Sequence, residues 1–152
     1  MLNDVDGLVP ATRRYECMKT ELCRADLFDL LATTGPILDR SLARALFKQV
    51  CIAVYATKQA GYAHLDIKLE NILIGDDFNL RLCDFGFSRK IGIPLTGLRG
   101  SEQYMAPEIL DESTYFYEPA NADIFSLGVV LFTLYFGRPP FNIACRKRDV
   151  FY

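Results

Sequence analysis

Apolar residues recur at three- and four-residue intervals in two stretches of the first half of the chain, as they do on one face of a helix. The stretch LFDLLATTG predicts a short helix that ends at Gly35-Pro36. A longer helix is predicted from near Ser41 to Gln59, with Asp39 or Ser41 as its N-cap and Gly61 just beyond its end.

The hydrophobic period then changes from helical to strand-like. NILI and NLRLC are short strand-like pieces separated by Gly75-Asp76-Asp77, which together predict a β-hairpin. Leu80 and Leu82 would share one face of the second strand, with Arg81 on the other. From Asp84 to Pro107 glycine and proline interrupt any period, and so long a loop in a compact domain is usually functional or disordered.

The longest uncharged run is IFSLGVVLFTLYFG, from Ile124 to Gly137. It is shorter than the roughly 20 residues of a membrane-spanning helix, and a helix that is apolar on every side of a soluble protein lies in its core. The following GRPPF is expected to end it. The pattern as a whole predicts one domain that is mainly α with a small β-hairpin (α+β), and no membrane partner.

Composition narrows the class of protein further. The 17 basic and 19 acidic residues give a net charge of −2, which offers no electrostatic reason to expect a nucleic-acid partner. The five cysteines are scattered, without a C-x-x-C pair, and Met1 is followed by acidic residues instead of the apolar core of a secretory signal. A reduced, intracellular protein is expected, and we predict a cytoplasmic location.

Polar residues are concentrated in HLDIKLEN, which contains His64, the chain's one histidine. Asp66, Lys68 and Asn71 come directly before the first predicted strand, and Asp84 follows the second. Because a hairpin brings its outer ends together, Asn71 and Asp84 should be neighbours. A carboxylate and an amide oxygen suit Mg²⁺. Taken alone, D-x-K-x-x-N is a weak pattern, and surface polar residues ahead of a hairpin are the commoner explanation.

The order of the polar motifs is much more specific than any one of them. Asp66 could take the proton of a hydroxyl nucleophile, and Lys68 could neutralise a transferring phosphoryl group. DFG follows at 84–86 and APE at 106–108. With these motifs the chain resembles the larger, C-terminal lobe of a eukaryotic protein kinase, over residues 21–152.

The resemblance implies a serine/threonine protein kinase that uses ATP and Mg²⁺ and acts on a protein substrate. It implies that Asp66 is the catalytic base, that Lys68 contacts phosphate, and that Asn71 and Asp84 are the metal ligands. Ser101 stands where such kinases carry a hydroxyl close to the base. The absence of a tyrosine-kinase-like AAR stretch after Asp66 supports the same substrate class.

The resemblance also implies a nucleotide site. Backbone groups of the hinge would contact adenine, an acidic residue would meet the ribose, and an apolar residue would form the floor beneath the base. In chain order these cofactor-binding residues are Glu21, Cys23, Asp26 and Leu73. His64 and Phe85 resemble the pair that packs inside the lobe, which makes the histidine a structural residue.

The chain departs from the family pattern at Leu65. The family usually has arginine at this position, and its guanidinium pairs with a phosphate on the activation loop. Leucine cannot form that pair, so we expect phosphorylation of Thr96 or Ser88 to have little effect on activity.

Both ends of the chain also depart from the pattern. No G-x-G-x-x-G loop and no V-A-I-K lysine precede Glu21, and the arginine that pairs with Glu108 in the family would follow the last residue. The expected division is residues 1–20 as the remnant of the smaller lobe and the approach to the hinge, and residues 21–152 as the hinge and larger lobe. Without its last helices, this lobe is expected to expose apolar surface that a partner chain would cover.

Three functions therefore stay open. The chain could be the lower lobe of a serine/threonine kinase, weak or inactive alone because the glycine-rich loop and its lysine are missing. It could be a non-catalytic, pseudokinase-like module that binds a protein. It could also be a truncated gene product that folds poorly by itself.

Overall fold

The structure is a computed structural model that describes residues 17–111 and 113–152. Residues 1–16, the larger part of the predicted remnant of the smaller lobe, lie outside the described residues. The helices are α1 (Leu27–Thr34), α2 (Arg40–Gln59), α3 (Pro107–Leu110) and α4 (Pro119–Phe136). The strands are β1 (Ala25–Asp26), β2 (Tyr62–Ala63), β3 (Ile72–Ile74), β4 (Leu80–Leu82) and β5 (Arg89–Lys90). This confirms a mainly α architecture with a small hairpin.

Carboxylate caps fix the first two helices. The side chain of Asp26 accepts a hydrogen bond from the backbone N–H of Asp29 at 2.8 Å, and α1 ends at Gly35, whose φ is 74°. Asp39 caps α2 by accepting the N–H of Ser41 at 2.7 Å. Of the two predicted caps Asp39 is therefore the correct one, and α2 begins one residue earlier than Ser41.

The predicted hairpin is present as β3 and β4, which are antiparallel. Leu80 and Leu82 pack against the core from one face of β4, as their alternation predicts. Arg81 lies on the other face, where its guanidinium pairs with the carboxylate of Asp77 at 2.9 Å and with that of Glu21 at 2.8 Å. The pair with Glu21 joins the segment before β1 to the hairpin, and the pair with Asp77 lies within the hairpin itself.

Two strand pairings were not predicted. β1 pairs with β3, so that the hairpin becomes a three-stranded sheet, and β2 pairs with β5. The prediction of an unbroken irregular segment from Asp84 to Pro107 is therefore wrong at Arg89–Lys90. A two-residue strand is too short to show a period in the sequence, and its pairing depends on the tertiary fold.

α4 is the central helix, and it begins five residues before the uncharged run, at Pro119. It ends at Gly137, whose φ of 68° is the left-handed conformation that closes a helix. By length and composition it could cross a membrane, but half of it is buried inside the fold, as in a core helix. The prediction of burial on every side is wrong, because Ile124 and Phe136 are each 61% exposed.

The core has two parts. The main cluster joins one face each of α1, α2 and α4 with the hairpin and the segment before it. Its large, fully buried side chains include Leu27, Val50, Ile67, Ile72, Val130 and Leu134. The second cluster lies between the HLDIKLEN loop and the APE segment, and it contains Ala63, Leu65, Met105, Ala106, Ile109, Tyr117 and Ala122. The polar loop thus runs between two apolar clusters that hold it in place.

We expect Leu134→Ala to destabilise the fold strongly. Leu134 is fully buried in the main cluster, and a buried leucine replaced by alanine typically costs about 2–5 kcal/mol. Ile124→Ala on the exposed face of the same helix is the matched control and should cost far less. Urea denaturation followed by circular dichroism measures both, and equal losses would contradict the assigned face of α4.

Candidate active site

One carboxylate of α4 anchors the HLDIKLEN loop to the core. Asp123 is buried, and its two oxygens accept the backbone N–H groups of His64 at 2.7 Å and Leu65 at 2.8 Å. Leu65 has a φ of 66°, a left-handed conformation that is uncommon for a leucine and needs support from its surroundings. The paired hydrogen bonds of Asp123 provide that support and fix the loop on the core.

All polar atoms of the His64 ring are used inside the fold. Nε2 lies 2.9 Å from the carbonyl oxygen of Cys83, and Nδ1 accepts the backbone N–H of Asp66 at 3.2 Å. This pattern corresponds to a neutral ring that carries its proton on Nε2. The ring also meets Phe85 edge to face, with 4.8 Å between centroids. The structure therefore brings His64 and Phe85 together, and it gives the histidine a structural position.

Asp66 is the centre of a polar cluster. Its carboxylate is buried, with 3% of the residue exposed. One oxygen accepts the hydroxyl of Ser101 at 2.9 Å, and the other lies 3.0 Å from the amide nitrogen of Asn71 and 3.2 Å from the ammonium of Lys68. Lys68 also donates to the Ser101 hydroxyl oxygen at 3.0 Å. These four residues, which the sequence placed in one site, form one hydrogen-bonded unit that we call the Asp66 cluster.

The cluster balances its own charge. A buried carboxylate is costly unless hydrogen bonds and an opposite charge compensate it, and Asp66 has both. The Ser101 hydroxyl lies between the carboxylate and the ammonium, donating to the first and accepting from the second. The arrangement shows that a hydroxyl oxygen can be held between a proton acceptor and a positive charge.

Asn71 and Asp84 lie at the same end of the hairpin. The N–H of Cys83 donates to the carbonyl of Asn71 at 3.0 Å, which extends the β3–β4 ladder up to the residue before Asp84. The Asn71 amide nitrogen donates to Asp66 twice, so the amide oxygen is the atom left for a cation. Asp84 is exposed, and its carboxylate accepts only the N–H of Gly86, at 3.2 Å.

The oxygen atoms of Asn71 and Asp84 suit a magnesium ion that is only partly coordinated by protein. Among residues 17–111 and 113–152 there is no group of three or more His, Cys, Asp or Glu side chains that could hold a metal by themselves. Mg²⁺ is usually held by one or two protein oxygens together with phosphates and waters. An exposed carboxylate and an amide oxygen at the same end of the hairpin fit that requirement.

The residues predicted for the nucleotide lie on the neighbouring sheet. Asp26 and Leu73 are directly paired between β1 and β3. One oxygen of Asp26 is used to cap α1, and the exposed side chain of Glu21 binds Arg81. Burial raises the pKa of the Cys83 thiol, and the nearby Asp84, Cys23 and Asp26 raise it further.

The sequence analysis missed the role of Asp123. Burial raises the pKa of its carboxyl above the ordinary value, while the N–H groups of His64 and Leu65 act in the opposite direction. Its position is visible in the sequence as the one acid directly before the longest uncharged run. Without the fold, nothing connects it to a loop 59 residues away.

Leu65 and Glu108 mark the departures from the family pattern. The Leu65 side chain belongs to the second apolar cluster, where it packs with Met105 and Tyr117. Glu108 is half-buried and forms no ion pair with any residue in the described part of the chain.

Comparison with known proteins gives a consistent result. The sequence model of the family described as "Protein kinase domain" matches residues 9–150. The chain is 37% identical over 131 residues, 84% of its length, to serine/threonine-protein kinase TIO of Arabidopsis thaliana. It is 38% identical over 121 residues, 77% of its length, to the probable serine/threonine-protein kinase 2 of Plasmodium falciparum.

A third relative is the maternal embryonic leucine zipper kinase of Danio rerio, 36% identical over 130 residues and 82% of this chain. The chain spans only a small part of these relatives, namely 10% of the first, 23% of the second and 19% of the third.

We expect Asp123→Ala to release the HLDIKLEN loop. The substitution leaves two buried N–H groups without an acceptor, each costing roughly 1–3 kcal/mol. The amides of His64 and Leu65 should exchange their hydrogens with solvent much faster, as hydrogen-exchange mass spectrometry of the loop would show. Asn121→Ala, on an exposed position of the same helix, is the control, and unchanged exchange in Asp123→Ala would refute the assigned role.

Proposed function

The chain belongs to the protein kinase family, and we propose that its catalytic loops transfer a phosphoryl group from Mg-ATP to a serine or threonine hydroxyl of a protein. Protein kinases use ATP and Mg²⁺ and act on protein substrates. The observation that carries the proposal for this chain is the Asp66 cluster, with its buried carboxylate, adjacent ammonium and hydroxyl bound between them.

The substrate hydroxyl would bind between the Asp66 carboxylate and the Lys68 ammonium, where removal of its proton is favoured. A hydroxyl that donates to Asp66 has its oxygen next to Lys68, as the oxygen of Ser101 does now. Asp66 then acts as the base that orients the hydroxyl and receives its proton. Lys68 stabilises the negative charge that the transferring phosphoryl group carries, and it does so without reorganisation because Asp66 already holds it.

Asn71 and Asp84 would hold the magnesium ion that accompanies the nucleotide. The ion neutralises phosphate charge and orients the phosphates. Asn71 contributes its amide oxygen, and the hydrogen bonds from its nitrogen to Asp66 fix the direction of that oxygen. Asp84 contributes a carboxylate that is exposed and has few competing partners.

The nucleotide itself would lie over the sheet formed by β1, β3 and β4. Leu73 would form the apolar floor beneath the base, and the backbone of Glu21 and Cys23 would meet adenine. Asp26 would bind the ribose through the oxygen that does not cap α1.

Leu65 supports a loop that is ordered without phosphorylation. The apolar packing of Leu65 against Met105 and Tyr117 replaces the ion pair that an arginine would form with phosphate. The segment is further held by Leu95 and Tyr117, whose backbones exchange hydrogen bonds of 2.9 and 3.0 Å. Thr96 is exposed beside this bridge. A phosphate on Thr96 could not form an ion pair with Leu65, whose side chain is uncharged.

Further features of the protein remain proposals. The isolated 152-residue chain is expected to transfer phosphate weakly, because the sequence contains no G-x-G-x-x-G loop to cover the phosphates. A cytoplasmic location and a partner chain on the exposed apolar faces stay predictions.

Thermal unfolding with and without Mg-ATP tests nucleotide binding. A ligand at 100 times its Kd stabilises the folded state by about 2.7 kcal/mol, which raises Tm by several degrees in a chain of this size. Asp84→Asn should lose most of the magnesium-dependent part of that shift. Asp76→Asn, at the opposite end of the hairpin, should keep it.

A wild-type chain that folds and shows no shift at millimolar Mg-ATP would contradict the proposal. It would favour the non-catalytic, protein-binding alternative. A shift that is equal in the wild-type chain and in Asp84→Asn would contradict the assigned metal ligand alone.

A further inference from the structure

Arg99 stands next to the Asp66 cluster without an acidic partner. A cavity of about 10 Å³ is lined by the side chains of Arg99, Leu65, Asp66 and Ser101, among others. Gly100 allows this approach, since its φ is 100° and a Cβ there would collide with the carbonyl oxygen of Leu65. The segment that carries Arg99 therefore runs directly against the catalytic loop.

The guanidinium of Arg99 is incompletely satisfied. Its Nε is the only buried side-chain nitrogen or oxygen, among residues 17–111 and 113–152, that lacks a hydrogen-bond partner. Within the same described residues Arg99 forms no ion pair. The guanidinium therefore has hydrogen-bonding capacity that the described residues do not fill. The cavity holds at most one water-sized group, so a larger anion must bind where the half-buried residue meets solvent.

The surroundings of Arg99 are positively charged. Burial raises the pKa of the Tyr117 phenol, whereas the charge of Arg99, its side-chain hydrogen bond with the phenol and the charge of Arg89 act against that rise. Arg89 forms no ion pair within the described part of the chain either. The nearby carboxylate of Glu118 accepts the backbone N–H of Gly92 and pairs with neither arginine. The opposite charges of Asp66 and Lys68 largely cancel, because the two side chains form an ion pair. An incoming basic side chain would be repelled here and an acidic one attracted.

We propose that Arg99 is a specificity-determining residue that binds a carboxylate of the substrate within two residues of the acceptor hydroxyl. The inference rests on the proposed function, because that function places the acceptor at Asp66. Ser101, two residues from Arg99, has its hydroxyl 2.9 Å from Asp66. Neighbouring Cα atoms of a substrate are 3.8 Å apart, so a residue flanking the acceptor comes within reach of the guanidinium.

The test uses the full chain and a set of peptides with one serine and a single aspartate moved from two residues before it to two residues after it. Binding is measured by fluorescence anisotropy without nucleotide, and phosphorylation is measured separately with Mg-ATP. One aspartate position should strengthen binding about tenfold over the alanine peptide, as a charge-assisted hydrogen bond does. The gain should shrink as salt is raised.

Three variants identify the residue responsible. Arg99→Gln should abolish the preference for aspartate, whereas Arg138→Gln, at an exposed position after α4, should leave it unchanged. Arg99→Glu should reverse the preference, so that a lysine at the same position binds better than alanine. That reversal is a gain of binding and cannot result from misfolding.

The outcomes separate this inference from the proposed function. A chain that prefers the acidic peptide but transfers no phosphate would refute the proposed function and leave the role of Arg99 standing. A chain that phosphorylates all peptides equally, or an Arg99→Gln variant that keeps the preference, would overturn the role of Arg99. Failure to bind any of the peptides would also overturn it.

Discussion

The hydrogen bonds that the backbone N–H groups of His64 and Leu65 donate to the Asp123 carboxylate are the constraint on which the site depends. They join the central helix of the core to a loop whose own conformation is unfavourable, with Leu65 at a positive φ. Because both hydrogen bonds end on one buried carboxylate, they fix the position and the orientation of the loop relative to α4. The polar side chains that follow, Asp66, Lys68 and Asn71, meet in the Asp66 cluster, while Ile67 and Leu69 between them are buried in the main apolar cluster.

The second requirement is that buried polar groups satisfy one another. The fold brings a carboxylate, an ammonium, an amide and a hydroxyl out of water together, and each becomes the partner of another. His64 is likewise satisfied, since both of its ring nitrogens form hydrogen bonds with backbone groups. Arg99 is the exception in this region, because its Nε lacks a hydrogen-bond partner and its side chain forms no ion pair within the described residues. This unfilled hydrogen-bonding capacity of the guanidinium is one basis for the acidic substrate group proposed above.

Much of the fold follows from local sequence, and the parts that do not are those set by long-range contacts. The cap of α2, the β3–β4 hairpin and the glycine that ends α4 are specified within a few residues of where they act, so the sequence predicts them. The β2–β5 pairing is only two residues long and leaves no period to detect. Exposed apolar surface was expected, but its position at Ile124 and Phe136 of α4 was not predicted, because an apolar helix does not reveal which of its faces the rest of the chain covers. At the site, the motif spacing groups Asp66, Lys68 and Asn71, and the family resemblance implies that Ser101 joins them, whereas Asp123 acts across 59 residues and only the fold reveals it.

The central claim is that the amide oxygen of Asn71 and the carboxylate of Asp84 converge on one divalent ion beside Asp66. Paramagnetic broadening by Mn²⁺ in the presence of ATP, read from the ¹⁵N–¹H spectrum of the chain, tests it directly. The Asn71 side-chain amide and the backbone amides next to Asp84 are predicted to lose intensity first, well before those of the turn at Asp76 and Asp77. Broadening that begins at that turn, or that affects exposed carboxylates throughout the chain equally, would contradict the account.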